Sequence, residues 1–123
     1  MRVISIIPVK GLPIIKQGDD LAGLIVEAAE TGTPIQEGDI IVVTHIIVSR
    51  AEGRTVNLKD VVPSEFAKSV AQQYEKDPAH VEVVLRESKN IIRMGDGHII
   101  SETKHGFICA NAGVDKSNVK GED

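Results

Sequence analysis

Apolar residues fall along this chain in three patterns, and each predicts a different kind of element. Ile/Val-rich runs occupy residues 2–9 and 39–48, the second reading DIIVVTHIIV. Both predict strands, and the more continuous apolarity of 39–48 makes it a central strand buried on both faces. Helical spacing recurs three times: Leu21, Leu24, Ile25 and Ala28; Phe66, Val70 and Tyr74 with Ala67 and Ala71 beside them; and Val81, Val84 and Leu85. Each stripe follows a residue suited to cap a helix, namely Asp19 or Asp20, Ser64, and Asp77 ahead of Pro78. Gly32 ends the first helix.

From Asn90 the period shortens. Ile91, Ile92 and Met94 precede Gly95-Asp96-Gly97, and Ile99 and Ile100 follow, which predicts a β-hairpin. A short buried strand over 106–110 then runs into Asn111, Ala112 and Gly113, small and polar residues that let the backbone turn and present Asp115, Ser117 and Asn118 together. Lys10 to Pro13 and residues 34–39 read as turns, and 54–58 as a short strand. The expected fold is mixed α+β: one domain over 1–123, with an aliphatic Ile/Val-rich mixed sheet, three flanking helices and the hairpin.

Composition narrows the function classes. The 123 residues are 41% hydrophobic and 26% charged, as in a soluble globular protein with a real core. The aromatics are Phe66, Tyr74 and Phe107, so the core is aliphatic and a stacking platform for bases is absent. With 14 Lys plus Arg against 18 Asp plus Glu, the formal charge of −4 supplies no general field toward nucleic acid or anionic membrane. A bound polyanion therefore needs backbone N–H groups, a few cations or metal ions. Cys109 is the single cysteine, which excludes an internal disulfide and a cysteine-based zinc site and fits a reducing, cytoplasmic setting. Pro8 and Lys10 interrupt the N-terminal run too early for a signal peptide, and no run reaches the length of a membrane span.

Candidate chemistry gathers at the ends of the predicted strands, and each motif has two readings. Gly11-Leu12-Pro13 is a structural turn or a backbone cradle. His45 is a satisfied buried histidine or a ligand contact, and His105 stands at a strand start where it meets ligand or solvent. Arg50, just past the central strand, reaches a phosphate or pairs with Glu52. Asp115, Ser117 and Asn118 offer hard oxygens suited to Mg²⁺ or Mn²⁺ bridged to phosphates, or form an ordinary Asx-type turn. The phosphate loop with its lysine, GxGxxG, HExxH, a cysteine pair and the nucleophile elbow are all missing, and Cys109 reads as a buried inert thiol. These residues describe an anion-and-metal loop on an α/β scaffold without naming a reaction.

Four stretches carry a family resemblance: GLPII at 11–15, VSRAEGR at 48–54, LRES at 85–88 and, most specific, ETKHGFICANAGVDKSNV at 102–119. Together they resemble the N-terminal part of the coenzyme F-420:L-glutamate ligases (F-420-0:gamma-glutamyl ligases), over nearly the whole chain. The resemblance implies a GTP- and divalent-metal-dependent amide-forming ligase that adds L-glutamate in γ-linkage to a deazaflavin coenzyme precursor through an acyl phosphate. Carried over by motif position, Gly11, Leu12, Pro13, Ile14, His45, Ile46 and Arg50 contact the nucleotide, Asn118 contacts nucleotide or substrate, and Asp115 binds Mg²⁺ or Mn²⁺. K⁺ is a further candidate ion, and no catalytic residue is assigned. The implied partners are GTP, L-glutamate, the deazaflavin precursor and a second copy in a homodimer, with neither nucleic acid nor membrane.

Two departures stand out. Family members commonly carry lysine where this chain has Ile46 and where it has Arg50. The family also continues into a second half with an Asp-Thr metal-binding segment, so more protein is expected after Asp123. The competing expectation is a non-catalytic nucleotide-binding or assembly module that needs a second polypeptide.

Overall fold

The three helical spacings form helices. In the computed structural model, which describes residues 3–116, α1 spans Leu21–Glu30, α3 spans Glu65–Gln73 and α4 spans Pro78–Glu87, with a further short helix, α2, over His45–Ala51. The caps are those the sequence offers. Asp20 accepts the Gly23 N–H at 3.1 Å, Ser64 Oγ accepts the Ala67 N–H at 3.2 Å, and Asp77 Oδ1 accepts the Ala79 N–H at 2.9 Å, each satisfying an amide that the first helical turn leaves unpaired. No helix of the described residues is long and apolar enough to cross a membrane.

The chain divides into two compact units, Met1–Thr55 and Val56–Asp123. The second holds the sheet. Strands β1 (Ser88–Gly95), β2 (His98–Thr103) and β3 (Ile108–Ala110) lie antiparallel in the order β1-β2-β3. Asp96 and Gly97 link the first two with φ of 49° and 75°. Two successive positive φ values twist the connection in the sense that matches paired strands, which is why Asp-Gly marks a hairpin so well. Along β2, Ile99, Ser101 and Thr103 turn inward. Ile99 closes on Ala67, Val70 and Ala71 of α3 and Val81 and Val84 of α4, and the two alanines leave room for it. The outer face of the sheet carries the exposed Ile108.

Within this mixed α+β architecture, several expected details change. The described residues hold four α-helices, and their sheet is wholly antiparallel. Residues 39–48 are not a central strand: 39–44 have no regular secondary structure and no ladder, and His45 begins α2. Nor do the described residues of 2–9 or 54–58 form strands. The physical reason is shared. A strand exists only with a neighbour to take its N–H and C=O groups, and the described residues of the first unit contain no strand. Ile40 and Val42, expected at the centre of a sheet, are 87% and 91% exposed. Leu58–Asp60 is a 3-10 turn started by Asn57, whose side chain accepts the Lys59 N–H at 3.0 Å. Of residues 106–110 only Ile108–Ala110 pair. Phe107 and Ile108 are exposed and Cys109 is half-buried, as an edge strand with one covered face requires.

Candidate functional site

In the first unit the GLP stretch is anchored by its neighbour. Gly11 takes a φ of 85°, Ile14 is exposed and Ile15 is buried, so the chain is pinned just after the candidate cradle. It is then tied to α2: the Gly18 N–H donates to the Ala51 carbonyl at 2.9 Å. Gln17 lies against Gly53, where an added Cβ would collide with the Gln17 side chain. The segment following GLPII and the turn that carries Arg50 are thus held together.

Arg50 is half-buried in the last turn of α2, where its charge complements the carbonyl end of the helix. His45 and Ile46 occupy the opposite end, about 8 Å away at 1.5 Å per residue along a helix of seven residues. His45 is exposed and not a buried strand histidine, because the helix start sets it at the surface. Of the nucleotide candidates, Gly11, Leu12, Pro13, Ile14, His45, Ile46 and Arg50 therefore share one unit.

Asp115 belongs to the second unit. The turn between β2 and β3 is closed by the Thr103 N–H donating to the Phe107 carbonyl at 2.8 Å and the Phe107 N–H donating to Thr103 Oγ1 at 3.1 Å, with His105 exposed at its tip. After β3 the chain makes a 3-10 turn, Asn111–Gly113, in which Asn111, Ala112 and Gly113 all have positive φ, at 52°, 51° and 71°. Left-handed backbone at a β-carbon-bearing alanine is strained and persists only where packing enforces it. Here Ala112 and Val114 pack on the α3–α4 core, and the Val114 N–H donates to the Asn111 carbonyl at 2.8 Å. Asp115 follows, half-buried, and Lys116 Nζ donates to Asp77 Oδ2 at 2.8 Å. That ammonium, with the Ala79 and His80 amides, holds the Asp77 carboxyl below its ordinary range despite partial desolvation. Ser117 and Asn118 lie outside the described residues.

No cluster of three or more His, Cys, Asp or Glu able to hold a metal ion occurs among the described residues. Asp115 is a single hard carboxylate, a donor that fits Mg²⁺ or Mn²⁺ completed by phosphate oxygens and water, and does not fit a closed protein cage.

Comparison with known proteins decides the family. The family model for F420-0:Gamma-glutamyl ligase matches residues 10–123. The chain belongs to this family. Coenzyme F420:L-glutamate ligase of Methanothermobacter thermautotrophicus is 50% identical over 117 residues, covering 94% of this chain and 46% of the relative. The proteins of that name from Methanopyrus kandleri and Archaeoglobus fulgidus are 49% identical over 104 residues and 41% over 120, covering 85% and 98% of this chain and 40% and 46% of theirs. The chain thus spans less than half the length of these ligases.

Two ties of the second unit escape a reading of the sequence. Asp77-Pro78 announces a helix start, but nothing in the sequence shows that the same carboxylate holds Lys116, 39 residues on. Likewise, a capping box would place Glu or Gln at Ala67; instead Glu82 of α4 accepts the Ser64 N–H at 2.9 Å on Oε2 and the Arg86 Nε–H at 2.9 Å on Oε1. The Ser64 amide and hydroxyl, with Arg86, pull the Glu82 carboxyl down to about 2. Both ties cross elements, and local patterns cannot announce them.

Proposed function

We propose that this protein carries part of the active site of a GTP- and divalent-metal-dependent ligase that adds L-glutamate in γ-linkage to the deazaflavin coenzyme F-420 precursor. The observation that supports this reading most is the family match over residues 10–123, which includes both the GLP stretch and the Asp115 loop. In the proposed reaction a carboxylate oxygen of the precursor attacks the γ-phosphorus of GTP, the bond to the bridging oxygen breaks, and GDP leaves. The amine of glutamate then attacks the acyl carbon, phosphate departs with the bonding pair, and the amine loses a proton to give the amide. The backbone of Gly11 to Ile14 lies against the nucleotide, with His45 and Ile46 at one end of α2 and Arg50 toward the phosphates. Asn118 contacts nucleotide or substrate.

Asp115 holds the divalent ion, Mg²⁺ or Mn²⁺, which when bound offsets phosphate charge. K⁺ is a further ion to test. Arg50 in place of the usual lysine keeps one positive charge, whereas Ile46 lacks the second and weakens the hold on GTP. The working form is a cytoplasmic homodimer. The competing reading is a nucleotide-binding or assembly module acting with another polypeptide.

The test is incubation with GTP, Mn²⁺, L-glutamate and the precursor, read by mass for a product heavier by one glutamyl residue. Asp115→Ala is expected to abolish product in whatever assembly forms it. Undiminished turnover by Asp115→Ala at saturating Mn²⁺ removes the metal assignment. GTP binding by this chain without product, with product restored by a second polypeptide, supports the module reading.

A further inference from the structure

We infer that Asp77 is a positioning residue for the Asp115 loop, acting through Lys116. The residues on both sides of Asp115 are anchored to the same helix pair. Val114 packs on the core formed by α3 and α4, and Lys116 Nζ donates to Asp77 Oδ2 at 2.8 Å. Fixing the residues before and after Asp115 removes most of the backbone freedom that its carboxylate would otherwise have.

Asp77 is suited to the task because its own position is set twice. Oδ1 accepts the Ala79 N–H at 2.9 Å and the His80 N–H at 3.4 Å, and this cap fixes the side chain against the first turn of α4. The other oxygen is left facing Lys116, so the helix start serves as a rigid post for a chain segment distant in sequence. The upstream bend is also imposed from this side, since Ala112 keeps its left-handed backbone while packed on the same core. An ion pair 57% and 38% exposed contributes little to global stability, so its effect is expected on the local order of the loop.

The role assigned to the loop rests on the proposed function, whereas the tether does not, and the test separates them. Asp77→Asn keeps a cap oxygen but loses the charge, Lys116→Met removes the ammonium, and Lys116→Arg preserves it. Amide hydrogen exchange at Gly113 to Lys116 is followed in each variant and in the double variant Asp77→Asn/Lys116→Met. Exchange at Val84 and Ile99 serves as a control for general loosening.

Each single loss is expected to speed exchange in the loop about two- to five-fold, with Val84 and Ile99 unchanged. The double variant is expected to be no worse than either single, and Lys116→Arg close to the parent. Unchanged loop exchange in either single variant, multiplied effects in the double, or equal acceleration at Val84 and Ile99 would overturn the tether. In parallel, the affinity for Mn²⁺ with GTP is titrated. A tether that positions the site weakens it by a similar factor in both single variants, with recovery in Lys116→Arg. Asp115→Ala is the reference: if it leaves that affinity untouched, the metal reading fails while loop exchange still decides the tether.

Discussion

Replacing Ile99 by alanine tests whether the α3–α4 layer and the inner face of β2 form the core of the second unit. Ile99 is 1% exposed and sits among Ala67, Val70, Ala71, Val81 and Val84. The change removes three carbons, about 2.4 kcal/mol at roughly 0.8 per buried methylene. The cavity left behind raises the expected cost to about 3–4 kcal/mol, because the neighbouring alanines have no side chain with which to fill it. For a unit this small the urea slope is about 1–1.5 kcal/mol/M, so the midpoint should fall by about 2–4 M. Far-UV circular dichroism is the suitable probe, since the chain lacks tryptophan and has one tyrosine. Ile108→Ala on β3 is the matched control. Its side chain is 65% exposed on the outer face, and the cost should stay within about 0.5 kcal/mol. Equal losses for the two variants would refute the reasoning by showing the outer face covered in solution; a loss below about 1 kcal/mol for Ile99→Ala would refute the packing itself.

Two further predictions concern buried and tethered polar groups. Glu82 has its carboxyl held at about 2 against an ordinary 4.5, so folding favours its ionised form; that stabilisation is complete above 4.5 and disappears as pH falls through about 2. Glu82→Gln should therefore lower stability near neutral pH and flatten the acid limb of an unfolding-versus-pH curve, and parallel acid limbs for parent and variant would contradict the Ser64–Glu82 tie. Ser101 is fully buried and its hydroxyl has no hydrogen-bond partner among the described residues. Ser101→Ala should thus be neutral or stabilising by up to about 1 kcal/mol in the same urea assay, and a comparable loss would reveal a partner for that hydroxyl.

What this sequence determines alone is whatever rests on contacts within a few residues. The three longer helices lie where spacing and caps put them, because an N-cap and an i, i+3, i+4 stripe act over one or two turns. The hairpin follows from Asp96-Gly97, because left-handed backbone at both turn residues sets the strands' twist locally. The family, too, was legible in ETKHGFICANAGVDKSNV, a long motif that the family match includes. The tertiary structure decided what depends on distant partners. DIIVVTHIIV has the composition of a buried strand, yet its apolar side chains cannot supply a ladder: its first part is exposed and its last part joins α2. The candidate site divides in the same way. Sequence named Asp115, but only the fold showed what holds it: a left-handed turn packed on α3 and α4, and a lysine reaching back 39 residues to a helix cap. A carboxylate's chemistry is written in its residue type, whereas its position is set by contacts made only when the chain has folded.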